Sequence, residues 1–115
     1  MSDTTSYNAA AILDTWIKHE WAHGLQIGSV PDFTEIAVQT RNTLYEITVI
    51  DGSTREVLIR GGRFFPDRTE ARLAGSSLGG SFLKVGGIYA GFNMEILVAG
   101  TSVVTTPVQS IRVSP

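Results

Sequence analysis

The sequence predicts a mainly β protein: a small antiparallel β-barrel, or a barrel-like sandwich, of about six to seven strands, preceded by one amphipathic helix. Near the N-terminus apolar residues recur at helical spacing, whereas over residues 33–113 they alternate with polar residues at period two, as half-buried strands do. Twelve glycines supply turns and bends that help a short sheet to close on itself. A closed barrel is therefore favoured over a sandwich.

The N-terminal part is expected to be a polar tail over residues 1–7 and a helix over residues 8–23. Asn8 can cap this helix and Gly24 can end it, and Leu25 to Pro31 is expected to be a connector. Because the helix carries two tryptophans, we expect it to plug one open end of the barrel or to pack across an edge. The apolar residues at helical spacing are Ile12, Leu13, Trp16, Ile17 and Trp21.

Three strands with alternating apolar and polar residues are expected around residues 36–40, 45–49 and 57–59. The segment Asp51-Gly52-Ser53-Thr54 has the composition of a hairpin loop between the second and third strands. The pair Gly61-Gly62 is expected to end the third.

The remaining strands include the cleanest alternation in the chain, over residues 88–98. A fourth strand is expected around residues 71–73, followed by a flexible turn over residues 75–80. Residues 88–98 alternate throughout and predict one long strand, bent by a bulge at its glycine. A last extended stretch over residues 103–111 contains Pro107, which argues for an edge position or a break between two short strands.

Composition restricts the class of protein. A chain of 115 residues predicts a single domain over residues 1–115. The absence of cysteine excludes a disulfide framework and a thiolate zinc site. The polar N-terminus predicts no signal peptide, and the apolar runs are too short to span a bilayer, so a cytoplasmic protein without a membrane partner is expected. The net charge of −2 gives little support for nucleic-acid binding.

The segment His19-Glu20-Trp21-Ala22-His23 has the pattern H-E-x-x-H and contains both histidines of the chain. On a helix this spacing places two imidazoles one turn apart on one face, where both can bind a single Zn²⁺. The segment resembles the zinc-helix signature of zincin metallopeptidases. That resemblance implies His19 and His23 as metal ligands, Glu20 as the general base, and zinc as the cofactor of a hydrolase.

Other features favour a structural role for the same segment, with no cofactor. The longer signature of that class requires glycine at position 26 and histidine at position 29, where this chain has Gln26 and Ser29. His19 and His23 each lie seven residues after an apolar residue of the helix, so both continue its apolar stripe. The interpretation preferred from the sequence is that the two histidines border the contact between helix and barrel.

A second candidate site is a basic and aromatic stretch, the surface on which a binding role is expected. Arginines combined with aromatic residues are typical of surfaces that bind nucleic acids or other anions. Over that interpretation the sequence favours a strand end, with Phe64 and Phe65 in the core and the arginines paired with Asp67 and Glu70. The residues are Arg60, Arg63, Phe64, Phe65, Arg68 and Arg72.

The function expected from the sequence is that of a non-enzymatic binding or assembly module. A protein partner or self-association, including a homo-oligomer, is favoured over a small molecule. A zinc-dependent hydrolase using the H-E-x-x-H segment is the alternative, and a nucleic-acid-binding barrel is a weaker one.

Overall fold

The computed structural model describes residues 23–78 and 81–114. A single turn of 3₁₀ helix, Ile27–Ser29, follows the first strand. Within the described residues the chain forms nine strands: β1 (Gly24–Gln26), β2 (Glu35–Thr40), β3 (Leu44–Asp51), β4 (Glu56–Gly61), β5 (Phe65–Leu78), β6 (Ser81–Val85), β7 (Gly87–Tyr89), β8 (Asn93–Val98) and β9 (Thr101–Ser114).

The strand pairings run in a closed ring, and all of them are antiparallel. Strands β2, β3, β4 and β5 pair in chain order, β5 then pairs with β8, β8 with β9, and β9 with β2. Strand β6 pairs with the C-terminal end of β5, and β1 pairs with β7 in a separate two-stranded sheet. The mainly β, antiparallel class predicted from the sequence is confirmed.

The prediction of an N-terminal helix over residues 8–23 falls almost wholly outside the described residues. The connector expected after it is partly wrong, because Gly24–Gln26 forms β1 and pairs with β7. Local sequence does not reveal this strand, since its partner lies more than sixty residues away at Gly87–Tyr89. No helix in the described part of the chain is long and apolar enough to cross a membrane.

The three strands with clean alternation, β2 to β4, are confirmed, and so is the loop between β3 and β4. Their alternate residues face the interior and are buried, as the period of two requires. Phe65, at the start of β5, packs edge-on against Tyr45, with ring centroids 6.5 Å apart. The buried cluster also contains Ile27, Ile36, Val38, Ile47, Val49, Val57, Ile59, Leu73, Ile88, Met94, Ile96, Val103 and Val108.

The flexible turn expected over residues 75–80 is wrong for its first four residues, which form the buried end of β5. Small residues are needed here because β6 and β8 both pair with this segment, one on each side. At Gly75 the backbone has φ +149°, and a Cβ atom would lie 2.1 Å from the carbonyl oxygen of Lys84. The glycine and serines that suggest a loop therefore permit close packing of strands.

The long strand expected over residues 88–98 is two strands, β7 and β8, separated by a turn at residues 90–92. Two backbone hydrogen bonds to β9 fix this turn. The N–H of Gly91 donates to the carbonyl of Val108, and the N–H of Val108 donates to the carbonyl of Phe92, each at 2.8 Å. Gly91 therefore lies in the turn at which the chain passes from one sheet to the other, and not at a bulge within one strand.

Pro107 lies neither at a sheet edge nor at a break, because β9 continues through it from Thr101 to Ser114. Pro107 is opposite Asn93 of β8, and the next residue, Val108, is opposite Thr40 of β2. The proline thus occupies the point at which β9 changes partner. A residue without an N–H is tolerated where the ladder of hydrogen bonds passes from one neighbour to the other.

Candidate functional site

The basic and aromatic residues singled out from the sequence do not form one surface. Phe65 is 0% exposed and belongs to the core, so its assignment to a binding surface is corrected. The five arginine and phenylalanine side chains that remain line three separate clefts. Arg63 and Phe64 line the first, Arg60 and Arg68 the second, and Arg72 the third.

The first cleft lies at the turn between β4 and β5, residues 62–64. The ladder between these strands ends at the pair Gly61 and Phe65, and Phe65 is directed inward. Phe64 precedes that last pair and belongs to the turn, which leaves its side chain 64% exposed. Phe64 therefore presents a large apolar surface to solvent, next to Arg63.

Two other parts of the chain lie beside this turn. Asn42 and Thr43 come from the turn between β2 and β3, and Val104 to Thr106 come from β9. Together with Tyr45, Arg63 and Phe64 they enclose a cleft of about 420 Å³. The polar groups Asn42, Thr43 and Arg63 stand next to the apolar surfaces of Phe64 and Val104, which is 46% exposed. We call this the tip cleft.

The tip cleft is electropositive. Arg63 is exposed, and no described residue forms an ion pair with it. Arg41, also exposed, adjoins Asn42 in the same turn, and none of the described residues that line the cleft is acidic. A ligand that suits this site carries negative charge and an apolar group.

The second cleft is on the outer face of β2, β3, β4 and β9, with a volume of about 250 Å³. Arg60 forms an ion pair with Glu46 and donates from Nε to the carboxylate at 2.8 Å. Arg68 donates from a guanidinium nitrogen to the hydroxyl of Thr48 at 3.2 Å. Arg112 lines the same cleft, a contribution that the sequence does not suggest because it lies far along the chain, on β9. Carboxylates offset much of the positive charge here.

The third cleft contains Arg72. This arginine lies opposite Glu56 on β4 and opposite Leu97 on β8. Glu56 and Glu70 line the cleft with it. Two carboxylates beside one arginine make this the least suitable of the three surfaces for an anion.

Of the residues proposed as a metal site, His19 and Glu20 lie outside the described part of the chain. His23 is exposed, and its carbonyl accepts a hydrogen bond of 2.9 Å from the N–H of Ala90. The groove around it is mostly apolar, and no carboxylate is among the described residues that line it. Across residues 23–78 and 81–114, no group of three or more His, Asp or Glu side chains is placed to hold a metal ion.

The sequence points to the tip cleft through Arg63 and Phe64 alone. Its other residues, such as Asn42 and Val104, are ordinary polar and apolar residues that become part of a site only because two turns and β9 meet. Comparison with protein-family models, with curated proteins and with solved structures finds no match to this chain, so the candidate site stands on its own geometry.

Proposed function

We propose that this protein is a non-enzymatic binding module whose tip cleft takes an acidic, partly apolar segment of a protein partner. The observation that carries the proposal is Phe64, which is 64% exposed beside Arg63, an arginine that forms no ion pair with any described residue. Aromatic and arginine side chains contribute most of the binding energy in many protein interfaces. Burying the ring of Phe64 against an apolar partner side chain removes apolar surface from water, which favours association.

The positive charge at the tip cleft determines which class of peptide segment we expect to bind there. Arg63 and Arg41 attract carboxylates, and a guanidinium can bind a carboxylate with two parallel hydrogen bonds. Asn42 and Thr43 add polar groups that can bind a peptide backbone. An acidic residue next to an aliphatic or aromatic residue would satisfy both parts of the cleft.

The scaffold that we propose for this site is the small closed barrel expected from the sequence, and the ring of pairings from β2 to β9 supports it. Turns held at the end of such a scaffold are fixed in position by the strands on either side. A site on rigid elements loses little conformational entropy on binding.

Nucleic acid is a less suitable ligand for this cleft. Single-strand binding combines several stacking aromatics with a continuous cationic groove. The tip cleft has Phe64 as its exposed aromatic ring, and the chain has a net charge of −2. The zinc-hydrolase alternative stays a prediction from His19, Glu20 and His23, because the described residues around His23 supply no further ligand.

The test is a selection from a phage-displayed library of random 12-residue peptides against the full chain. We expect enrichment of peptides in which acidic residues adjoin aliphatic or aromatic ones. Arg63→Glu and Phe64→Ser should each weaken the binding of the selected peptides about tenfold or more, as loss of a central interface residue does.

Matched control variants come from the other two clefts. Arg68→Glu makes the same change of charge in the second cleft, and Leu97→Ser removes an exposed apolar side chain from the third. Both should leave the affinity unchanged. The proposal fails if no peptide is enriched, or if the controls weaken binding as much as the tip variants. If a uridine 12-mer binds tightly, and if this binding is salt-sensitive and requires Arg63, the partner of the tip cleft is RNA and not a protein.

A further inference from the structure

The two most exposed large apolar side chains of the described residues lie near opposite ends of β2. Phe33 is 72% exposed and precedes this strand, whereas Phe64 is 64% exposed and lies in the tip cleft, beside the turn that follows the strand. The six residues of β2 separate the two ends by about 20 Å. One copy of the chain therefore presents an exposed phenylalanine at each end of this strand.

Phe33 belongs to a turn over residues 31–34, which we call the acidic turn. Asp32 precedes the phenylalanine and Glu35 follows it two residues later, and both acidic side chains are exposed. Residues 24–40 contain no lysine or arginine that could offset these carboxylates from within the segment. The carboxylate of Asp32 accepts a hydrogen bond of 3.2 Å from the N–H of Gly52 and has capacity for further donors. The turn thus presents negative charge on both sides of an aromatic ring.

The backbone of Phe33 has φ +67°, in the left-handed region that bulky residues rarely adopt. Hydrogen bonds on both sides of the residue hold this conformation. The N–H of Phe33 donates to the carbonyl of Val49 at 2.6 Å. The N–H and the hydroxyl of Thr34 both donate to the carbonyl of Pro31, at 3.2 Å and 2.6 Å. Strained residues that their surroundings fix in this way cluster at functional sites, and a turn that is already fixed loses little conformational entropy on binding.

The acidic turn has the two properties of the segment that the tip cleft is expected to bind, a carboxylate and an adjoining apolar ring. We propose that the partner of the tip cleft is the acidic turn of a second copy of this chain, so that copies associate head to tail. This inference rests on the proposed function of the cleft. The ring of Phe33 packs against the ring of Phe64, an aromatic pair that adds to the burial of apolar surface. The carboxylates of the turn lie near the guanidinium groups of Arg41 and Arg63.

The positions of the two surfaces determine the type of assembly. Because the tip cleft and the acidic turn lie at opposite ends of β2, a copy whose cleft is occupied still presents its own turn to a further copy. A contact between two different surfaces extends into an open chain of molecules unless its rotation closes a ring. Association therefore continues beyond the dimer. Salt weakens it, since exposed opposite charges are screened.

Sedimentation equilibrium of the full chain at increasing concentration tests the proposal. The weight-average mass of the wild-type protein should rise above that of a dimer. Phe33→Asn removes the ring from the turn and should weaken association about tenfold or more, whereas the fold is kept because asparagine tolerates the left-handed region. Phe82→Asn is the matched control, since Phe82 is also exposed, at 42%, and also has a positive φ, of +55°. It should leave the association unchanged.

A mixing experiment identifies the two surfaces separately. Arg63→Glu impairs the cleft and keeps the turn, whereas Phe33→Asn impairs the turn and keeps the cleft. Each variant alone should stay monomeric over the concentrations at which the wild-type protein associates. An equimolar mixture should form a heterodimer that grows no further, because one intact cleft meets one intact turn. Circular dichroism verifies that both variants keep their strands.

Four results would overturn the proposal. The wild-type protein could stay monomeric, or its association could stop at a dimer. The mixture of the two variants could fail to associate, or Phe82→Asn could weaken association as much as Phe33→Asn.

The peptide selection distinguishes failure of this proposal from failure of the proposed function. If the wild-type protein stays monomeric while selected peptides bind with dependence on Arg63 and Phe64, the tip cleft binds a different protein. If neither peptides nor a second copy bind, both proposals fail. If both proposals hold, the selected peptides should compete with the acidic turn and return the assembled chains to monomers.

Discussion

The hydroxyl of Ser76 links β5 to β7 through Gly87. It donates a hydrogen bond of 2.9 Å to the carbonyl of Gly87 and accepts one of 3.1 Å from the N–H of Tyr89. The whole network is buried. The next residue, Ser77, is equally buried, but its hydroxyl has no hydrogen-bond partner among the described residues. Two adjacent serines in one strand therefore have opposite energetic roles.

We expect Ser76→Ala to lower the free energy of unfolding by about 1–3 kcal/mol, because it leaves a buried carbonyl and a buried N–H without a partner. Ser77→Ala should be neutral or slightly stabilising, since it removes a desolvated hydroxyl that forms no bond. Urea denaturation of the two variants measures the difference. Equal destabilisation by both would show that the bridge to β7 contributes nothing.

Phe64 and Phe65 give a second contrast between neighbours. Phe65→Ala should destabilise the protein by about 3–5 kcal/mol, because it opens a cavity beside Tyr45. Phe64→Ala should change the free energy of unfolding by less than about 0.5 kcal/mol, since the side chain is mostly exposed. Thermal unfolding followed by circular dichroism distinguishes them. A large loss of stability in Phe64→Ala would mean that Phe64 supports the fold instead of a binding site.

Gly75 and Gly100 both have positive φ, at +149° and +79°. Gly75→Ala should cost about 3 kcal/mol or more, because backbone strain is added to a collision with the carbonyl of Lys84. Gly100→Ala meets no atom within 4 Å and should cost only the conformational penalty, about 1–2 kcal/mol. Chemical denaturation tests this order. If the two costs were equal, the packing of β6 against Gly75 would not be tight.

Asp51 should show a pH dependence that Ser53 controls. The side-chain hydroxyl and then the backbone N–H of Ser53 donate to the Asp51 carboxylate and hold its pKa below the ordinary value. A lowered pKa stabilises the folded state above the ordinary pKa of aspartate, and this contribution is lost as the pH falls through the folded-state pKa.

Ser53→Ala should therefore raise the pKa of Asp51 towards its ordinary value, as measured by NMR titration of its carboxyl carbon. Ser29→Ala removes an exposed serine elsewhere that bonds to Gln26 and should not alter the titration. A pKa unaffected by Ser53→Ala would assign the shift to a different neighbour.

Strands β2 to β4 could be predicted because each has one buried and one exposed face, so that apolar and polar residues alternate along the sequence with a period of two. The end of β5 could not be predicted in this way. Its segment from Gly75 to Ser77 is made of small residues, and it is buried because β6, β7 and β8 surround it. Those partners come later in the chain, and no local pattern identifies them.

The candidate site was predictable in part for a similar reason. The mixture of arginine and phenylalanine indicates the turn beside which the candidate site lies, but composition does not distinguish Phe64 from Phe65. The register of the ladder decides that one residue points inward, since Phe65 pairs with Gly61. The contributions of Asn42 and Val104 depend on tertiary structure alone.

The pairing of β2 with β9 has a consequence for how the chain folds. It joins Glu35 to Ser114 and Val38 to Ile111, contacts that span most of the sequence. Contacts of such long range slow folding, because the entropy of closing a large loop is lost before the contact forms. During synthesis on a ribosome, the edges of β2 and β8 that pair with β9 stay unpaired until β9 emerges, although their other edges already have β3 and β5 as partners. Unpaired strand edges promote aggregation, so the pairing of β9 also protects the sheet from association with other chains.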